Sequence, residues 1–456
     1  MIQKRAIGVV ATGARLLIGV LIAIGCVVGV VAAVALPWPG AAGIPAQVAV
    51  TPSAGDTTLV CTGDFRAVGR NSLDAAQQMS AGTPNLTVDS TGPLEESRLT
   101  APELADTEGP QGFTGSAVRG GQGLVAAAES IAITSDDLSG LAASACREAR
   151  TESWLVGGSV ETGANDLIIL SNPGDVTATA TLMVFGLERT SSTTLVPAGT
   201  QISVPLSSLA PGAQDPAVRV TAAGAPLRAE LQSSLIRTLD PSGIDLQDSA
   251  GAPSDELSFA GVQVVTTSAD TALTVLRLMA TGDATEAAVT VRSGGAEVMR
   301  LTVPLEANTP AQVSLDGLEP GVYSVEVQTD APVVGAVRQT TRPGPGSDFA
   351  WMTAAPDIRG EVLAAIPPGP APRMHLVNPA AEDATVTLAP AAGGEEQQIE
   401  IPSGGDVVVD VLADETYSVS TEQTVRVAVM LSGTDAIAGW PIWAGAAARE
   451  PITVYP

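Results

Sequence analysis

The chain has 456 residues, 45% of them apolar but only 3% aromatic, with 33 prolines and 47 glycines. That length supplies several domains with cores of Ala, Val, Leu and Ile, and the turn-rich composition favours many short strands over long helices. A formal net charge of −27, with no basic stripe to offset it, repels polyanions and sets nucleic acid aside as a partner.

Residues 1–15 carry Lys4, Arg5 and Arg15, the only charges before Asp56, and read as a cytoplasmic tail. Residues 16–36 contain no charge and are long enough to cross a hydrocarbon layer of about 30 Å as a helix. Basic residues on the amino-terminal side alone keep that end in the cytoplasm and send the remainder outside, so a single-pass cell-membrane protein with an extracellular bulk is expected. Two alternatives stay open: signal-peptidase cleavage after Ala33-Val34-Ala35, and lipidation of Cys26 after Ile22-Ala23-Ile24-Gly25.

Residues 37–55, rich in Pro, Ala and Gly, read as a linker. Residues 56–150 form an irregular amino-terminal extracellular module that opens on Thr57-Thr-Leu-Val-Cys61 and closes at Cys146. These two thiols are the only ones beyond the apolar run, and in an oxidising compartment they are expected to form one disulfide.

From residue 151 onward a strand, a tight turn and a second strand recur. The copies are 167–175 leading into 177–185, 275–283 leading into 288–292, and 374–379 leading into 384–388. Their spacing, about 100 residues, is that of a β-sandwich domain and too long for a solenoid repeat. The fold class expected is therefore all-β, with tandem immunoglobulin-like sandwiches at 151–260, 261–357 and 358–456 after one transmembrane helix. Asn172-Pro173 and Asn378-Pro379 should end a strand and shape its turn, because proline cannot donate to a ladder and asparagine bonds nearby backbone. Residues 239–256 and 342–348, rich in Pro, Gly, Ser and Asp, read as loops.

The inventory offers little catalysis. His375 is the single histidine and lies in an expected strand, Lys4 is the single lysine, and no Gly-x-Ser-x-Gly elbow occurs. Adjacent carboxylates such as Glu382-Asp383 point to opposite faces of a strand and make poor acid-base partners. No catalytic, cofactor-binding or metal-binding residue is assigned. Trp440 and Trp443 should close the last core, with a sugar-stacking platform as the competing reading.

The apolar amino terminus, Cys61 and Cys146, Glu152-Ser-Trp154-Leu-Val-Gly-Gly158 and Leu170-Ser-Asn172-Pro-Gly-Asp175 together resemble the actinobacterial, membrane-anchored family of domain of unknown function 5719. The resemblance implies a cell-envelope protein and carries over no catalytic residue. The expected function is a non-enzymatic envelope scaffold that binds or positions an envelope protein. The alternative is a carbohydrate-binding or cell-wall-assembly accessory that meets a cell-wall glycan.

Overall fold

The computed structural model describes residues 17–32, 48–50, 55–70, 77–104, 107–117, 123–186, 188–213, 215–268, 271–445 and 452–454. They belong to two compact units, Met1–Pro52 with Glu450–Pro456, and Ser53–Arg449. In the first unit residues 17–32 are helical, and Val48–Val50 pairs antiparallel with Ile452–Val454, which puts a strand inside the expected 37–55 linker. Residues 16 and 33–36 of the expected span lie outside the described residues, and among the described residues no helix is long and apolar enough to cross a membrane.

The second unit is built of strands. Its first regular module has two four-stranded antiparallel sheets. One runs Glu152–Leu155, Ala217–Ala223, Ala178–Phe185, Thr190–Val196, and the other Thr200–Pro205, Leu167–Asn172, Arg228–Arg237, Asp240–Asp248. Period-two alternation explains the packing: Ala178, Ala180, Leu182 and Val184 are buried, while Thr179, Thr181 and Met183 between them stay half-exposed. The turn after Leu167–Asn172 is held by Asn172, whose Nδ2 donates to the Val176 and Val196 carbonyls and whose Oδ1 accepts from Gly174 N–H. Asn378 repeats this with Glu382, Ile401 and Ala380.

The next two modules keep the order of strands but fuse two of them. Gly321–Thr340 pairs first with Ser254–Val264 and Thr285–Ser293, then passes into the opposite sheet beside Thr274–Ala280 and Phe349–Thr353. Glu415–Gly433 does the same in the last module. Ser254–Val264 thus belongs to the second module, so the boundary falls at 249–253 and not at 260. The expected loop at 239–256 is largely strand as well. Asp240–Asp248 was hidden by its polar letters, because Asp245 is buried against the second module and Gln247 donates to the Val156 carbonyl within the first, instead of facing water. The amino-terminal module is less irregular than expected: short strands form sheets of three, two and three, and Cys61 and Cys146 are disulfide-bonded.

These modules are not separate beads. Ser139–Ala145 packs on Asp240–Asp248, which packs on Phe349–Thr353, which packs on Ala436–Pro441, which returns to Ser139–Ala145. One strand from each of four modules therefore meets at a common axis. Each seam has its own apolar fill: Phe65 and Ile131 against Ile244, Trp154 and Phe185 against Met279 and Trp351, Ala260 and Met352 against Val377, and Ala128 and Leu141 against Ile366. Continuous apolar seams of this kind make one cooperative body, since opening any module exposes two interfaces to water.

Candidate functional site

The axis carries a carboxylate. Asp348 is fully buried at the end of the 342–348 loop, and its Oδ2 accepts from the backbone N–H of Leu141 and of Ile437, each at 3.0 Å. Its Oδ1 accepts from Ile244 N–H at 3.2 Å. One side chain thus joins the axial strands of the other three modules. Glycine makes the approach sterically feasible: a Cβ on Gly140 would lie 2.4 Å from Asp348 Oδ1, and one on Gly243 2.9 Å from it. Beside it, Asp245 accepts from Trp351 N–H at 2.9 Å and ties the first module to the second.

A second polar cluster joins the amino-terminal module to the first sandwich. Arg228 lies on Arg228–Arg237 and is 3% exposed. Its Nη1 donates to Thr62 Oγ1 at 2.8 Å, and its Nη2 to Glu230 at 2.9 Å, to the Ala145 carbonyl at 3.0 Å and to Asp248 at 3.4 Å. Thr62 Oγ1 donates in turn to Glu230, while Glu129 accepts from the N–H of Thr62 at 2.5 Å and of Gly63 at 3.0 Å. Arg147 adds a second cation 3.7 Å from Asp248. A hydroxyl between a carboxylate and a guanidinium has the parts of an activated nucleophile. Thr62 is only 1% exposed, however, and its hydroxyl is engaged on both sides, so the cluster ties the two modules together.

Burial sets the protonation of these groups. It pushes the Asp348 carboxyl up to about 7 against the pull of its amide donors, and raises Asp245, Glu129 and Glu230. Folded values above the unfolded ones mean that the folded chain holds protons more tightly. This contribution to stability is therefore complete below the ordinary carboxylate range and is lost as pH rises through about 7. The melting temperature is expected to rise by several degrees between roughly pH 8 and roughly pH 5.5, read by scanning calorimetry. An unchanged or falling value over that interval would rule out these carboxyls as net acid-side stabilisers.

The residues singled out from sequence are scattered. Cys61 and Cys146 meet in their disulfide, and His375 is fully buried, its Nδ1 accepting from Gly261 N–H at 2.7 Å and its Nε2 lying 2.9 Å from Asp406. Asp406 also accepts from Gly295 N–H, so the pair pins the last module to a turn of the second. Trp440 is 2% exposed and fills the last core beside Val429, as the leading reading of it expects. Trp443 is half-buried, with the Arg147 and Arg150 guanidiniums 3.9 and 4.6 Å from its ring centroid, so its π-surface already serves two cations. Sequence reasoning missed Asp348, Arg228, Glu129 and Glu230. Their only signal was charge on strands or loops whose other residues pack well, and that is also how a solvated face reads.

The model of a family of unknown function (DUF5719) matches residues 102–428, more than half of the chain. No curated protein matches.

Proposed function

The chain belongs to the family of unknown function DUF5719, and from that premise we propose that it is a membrane-tethered, extracellular scaffold of immunoglobulin-like sandwiches that binds or positions an envelope protein. The observation that carries this reading is the closed circuit of four modules on Asp348. A body cross-tied at its centre holds its outer loops at fixed separations, as presentation of a binding surface requires. The uncharged run at 16–36, with Lys4, Arg5 and Arg15 before it, supports the tether and its orientation.

A tag fused to the carboxyl terminus should be removed by protease added to intact cells, while an amino-terminal tag survives until lysis. The reverse pattern, or protection of both tags, would overturn the topology. Cross-linking in the same cells, read by mass spectrometry, is expected to recover an envelope protein joined to residues of the Ser53–Arg449 unit.

One observation favours the carbohydrate reading as a second possibility. A cleft of about 350 Å³ is lined by Asp255, Glu256, Asp357, Arg426, Ser258 and Trp443. Arg426 clamps Glu256 at 2.8 Å and Asp357 at 2.7 Å through one oxygen of each, leaving acceptors that suit sugar hydroxyls. Pull-down on peptidoglycan, compared between the native chain and Asp255→Asn, tests it: retention that does not change with the substitution sinks this site.

A further inference from the structure

Thr190–Val196 is the terminal strand of its sheet, paired on one side with Ala178–Phe185 and on the other with no strand among the described residues. An edge of this kind presents a row of unpaired N–H and C=O groups, which folded chains ordinarily blunt with charge or proline. The matching edges of the next two modules are blunted in that way. Ala296–Leu305 carries exposed Glu297, Arg300 and Pro304, and Gln397–Ile401 carries exposed Glu400 and runs into Pro402. Thr190-Ser-Ser-Thr-Thr-Leu-Val196 has neither charge nor proline, and its threonines and valine favour extended backbone.

Register shows which of its side chains lie outward. Ser191, Thr193 and Leu195 stand opposite Met183, Thr181 and Thr179, on the face away from the buried row of Ala178, Ala180, Leu182 and Val184. All three are exposed, Leu195 at 62%. One edge of the first sandwich thus joins an open ladder to a row of hydroxyls and an uncovered leucine.

We propose that this edge pairs with the same edge of a second copy of the chain, antiparallel about a two-fold axis at Thr193. In that register Ser192 meets Thr194 of the second copy and Thr193 meets itself, and hydroxyl pairs of this kind bond across strands. Charge permits the self-pairing. Arg189 comes beside Pro197 of the second copy and Glu188 beside its Ala198, so no charge meets its like along the contact. Seven residues span only about 23 Å, too short alone to reach the roughly 800 Å² per partner of a stable complex, so the dimer is weak and reversible. Each copy also carries a formal net charge of −27, and salt that screens this repulsion should strengthen the contact.

Oxidative cross-linking of the purified full chain in detergent tests the pairing, in a Cys26→Ser background that removes the free thiol and leaves Cys61 and Cys146 in their disulfide. With copper phenanthroline as oxidant, Thr193→Cys should give a covalent dimer, because residues directly opposite in an antiparallel pair have Cα atoms about 4.5–5.5 Å apart, within disulfide range. Ser191→Cys and Leu195→Cys should each give about tenfold less alone, since each stands roughly 13 Å from its own copy, yet should cross-link to one another when the two variants are mixed. Adding Thr193→Lys to both members of that mixture sets two cations face to face and should abolish the cross-link, whereas Thr193→Val should keep it. Equal yields at all three positions, no dimer at any of them, or a mixed cross-link untouched by Thr193→Lys would overturn the pairing. Should the variants fail to fold, sedimentation of the unsubstituted chain decides: association that grows with concentration and salt is expected, and a monomer throughout overturns the pairing. None of these results bears on membrane topology or envelope cross-linking, so the scaffold reading stands or falls separately.

Discussion

Replacing Asp348 with alanine is expected to destabilise the Ser53–Arg449 unit by about 3–9 kcal/mol, at about 1–3 kcal/mol for each of the three buried amides it would strand. A domain is typically stable by only about 5–15 kcal/mol, so this loss is enough to open the circuit of modules at working temperature. Urea unfolding followed by circular dichroism reads the loss. Limited proteolysis should show new cleavage near Gly140, Gly243 and the 342–348 loop, where the axial strands separate. Asp348→Asn refines the test: its amide keeps one acceptor but turns an N–H toward a backbone N–H, so it should recover little. A shift below about 1 kcal/mol in either variant would mean that the three amides find other acceptors and that the axis is held by its apolar seams alone.

The axis also shows where the sequence could and could not be read. Repeats were legible because each carries its own local chemistry: alternating Ala, Val and Leu, then an Asn-Pro turn whose amide bonds backbone within a few residues. The Cys61–Cys146 disulfide was legible because two thiols leave one pairing. The joints between modules depend on partners distant in the chain. Asp348 and Leu141 are 207 residues apart, and Arg228 and Thr62 are 166 apart. Nothing local marks an Asp in a Pro-Gly-Ser loop as axial, and a strand such as Arg228-Ala-Glu230-Leu-Gln232-Ser alternates in the way a half-solvated strand does. Its polar face is buried against the amino-terminal module, where Gln232 copies a ladder pair by donating to the Arg66 carbonyl at 2.9 Å and accepting from Arg66 N–H at 2.8 Å. Trp440 was legible as a residue that closes the last core, and its burial there agrees, whereas the Arg147 and Arg150 guanidiniums over Trp443 come from another module and nothing local marks them.

Arg228→Met is expected to cost about 3–5 kcal/mol, because it leaves Glu129, Glu230 and Asp248 buried with Arg147 as their nearest remaining cation. The double variant Arg228→Met with Glu230→Met removes one charge of each sign and should cost less than the sum of the two single substitutions, by a coupling of about 0.5–3 kcal/mol in a double-mutant cycle. The pH dependence separates charge from shape. Burial already raises Glu230, and losing Arg228 takes away its main electrostatic counterweight, so its carboxyl should move further up. Protonation then relieves the uncompensated charge, and the deficit of the single variant should shrink as pH falls from roughly 8 to roughly 5. Methionine also gives up the hydrogen bonds from Arg228 to Thr62 and the Ala145 carbonyl, and those losses do not titrate. A deficit that stays constant across the pH range would therefore assign the joint to these neutral contacts, and a deficit that closes in acid would assign it to paired charge.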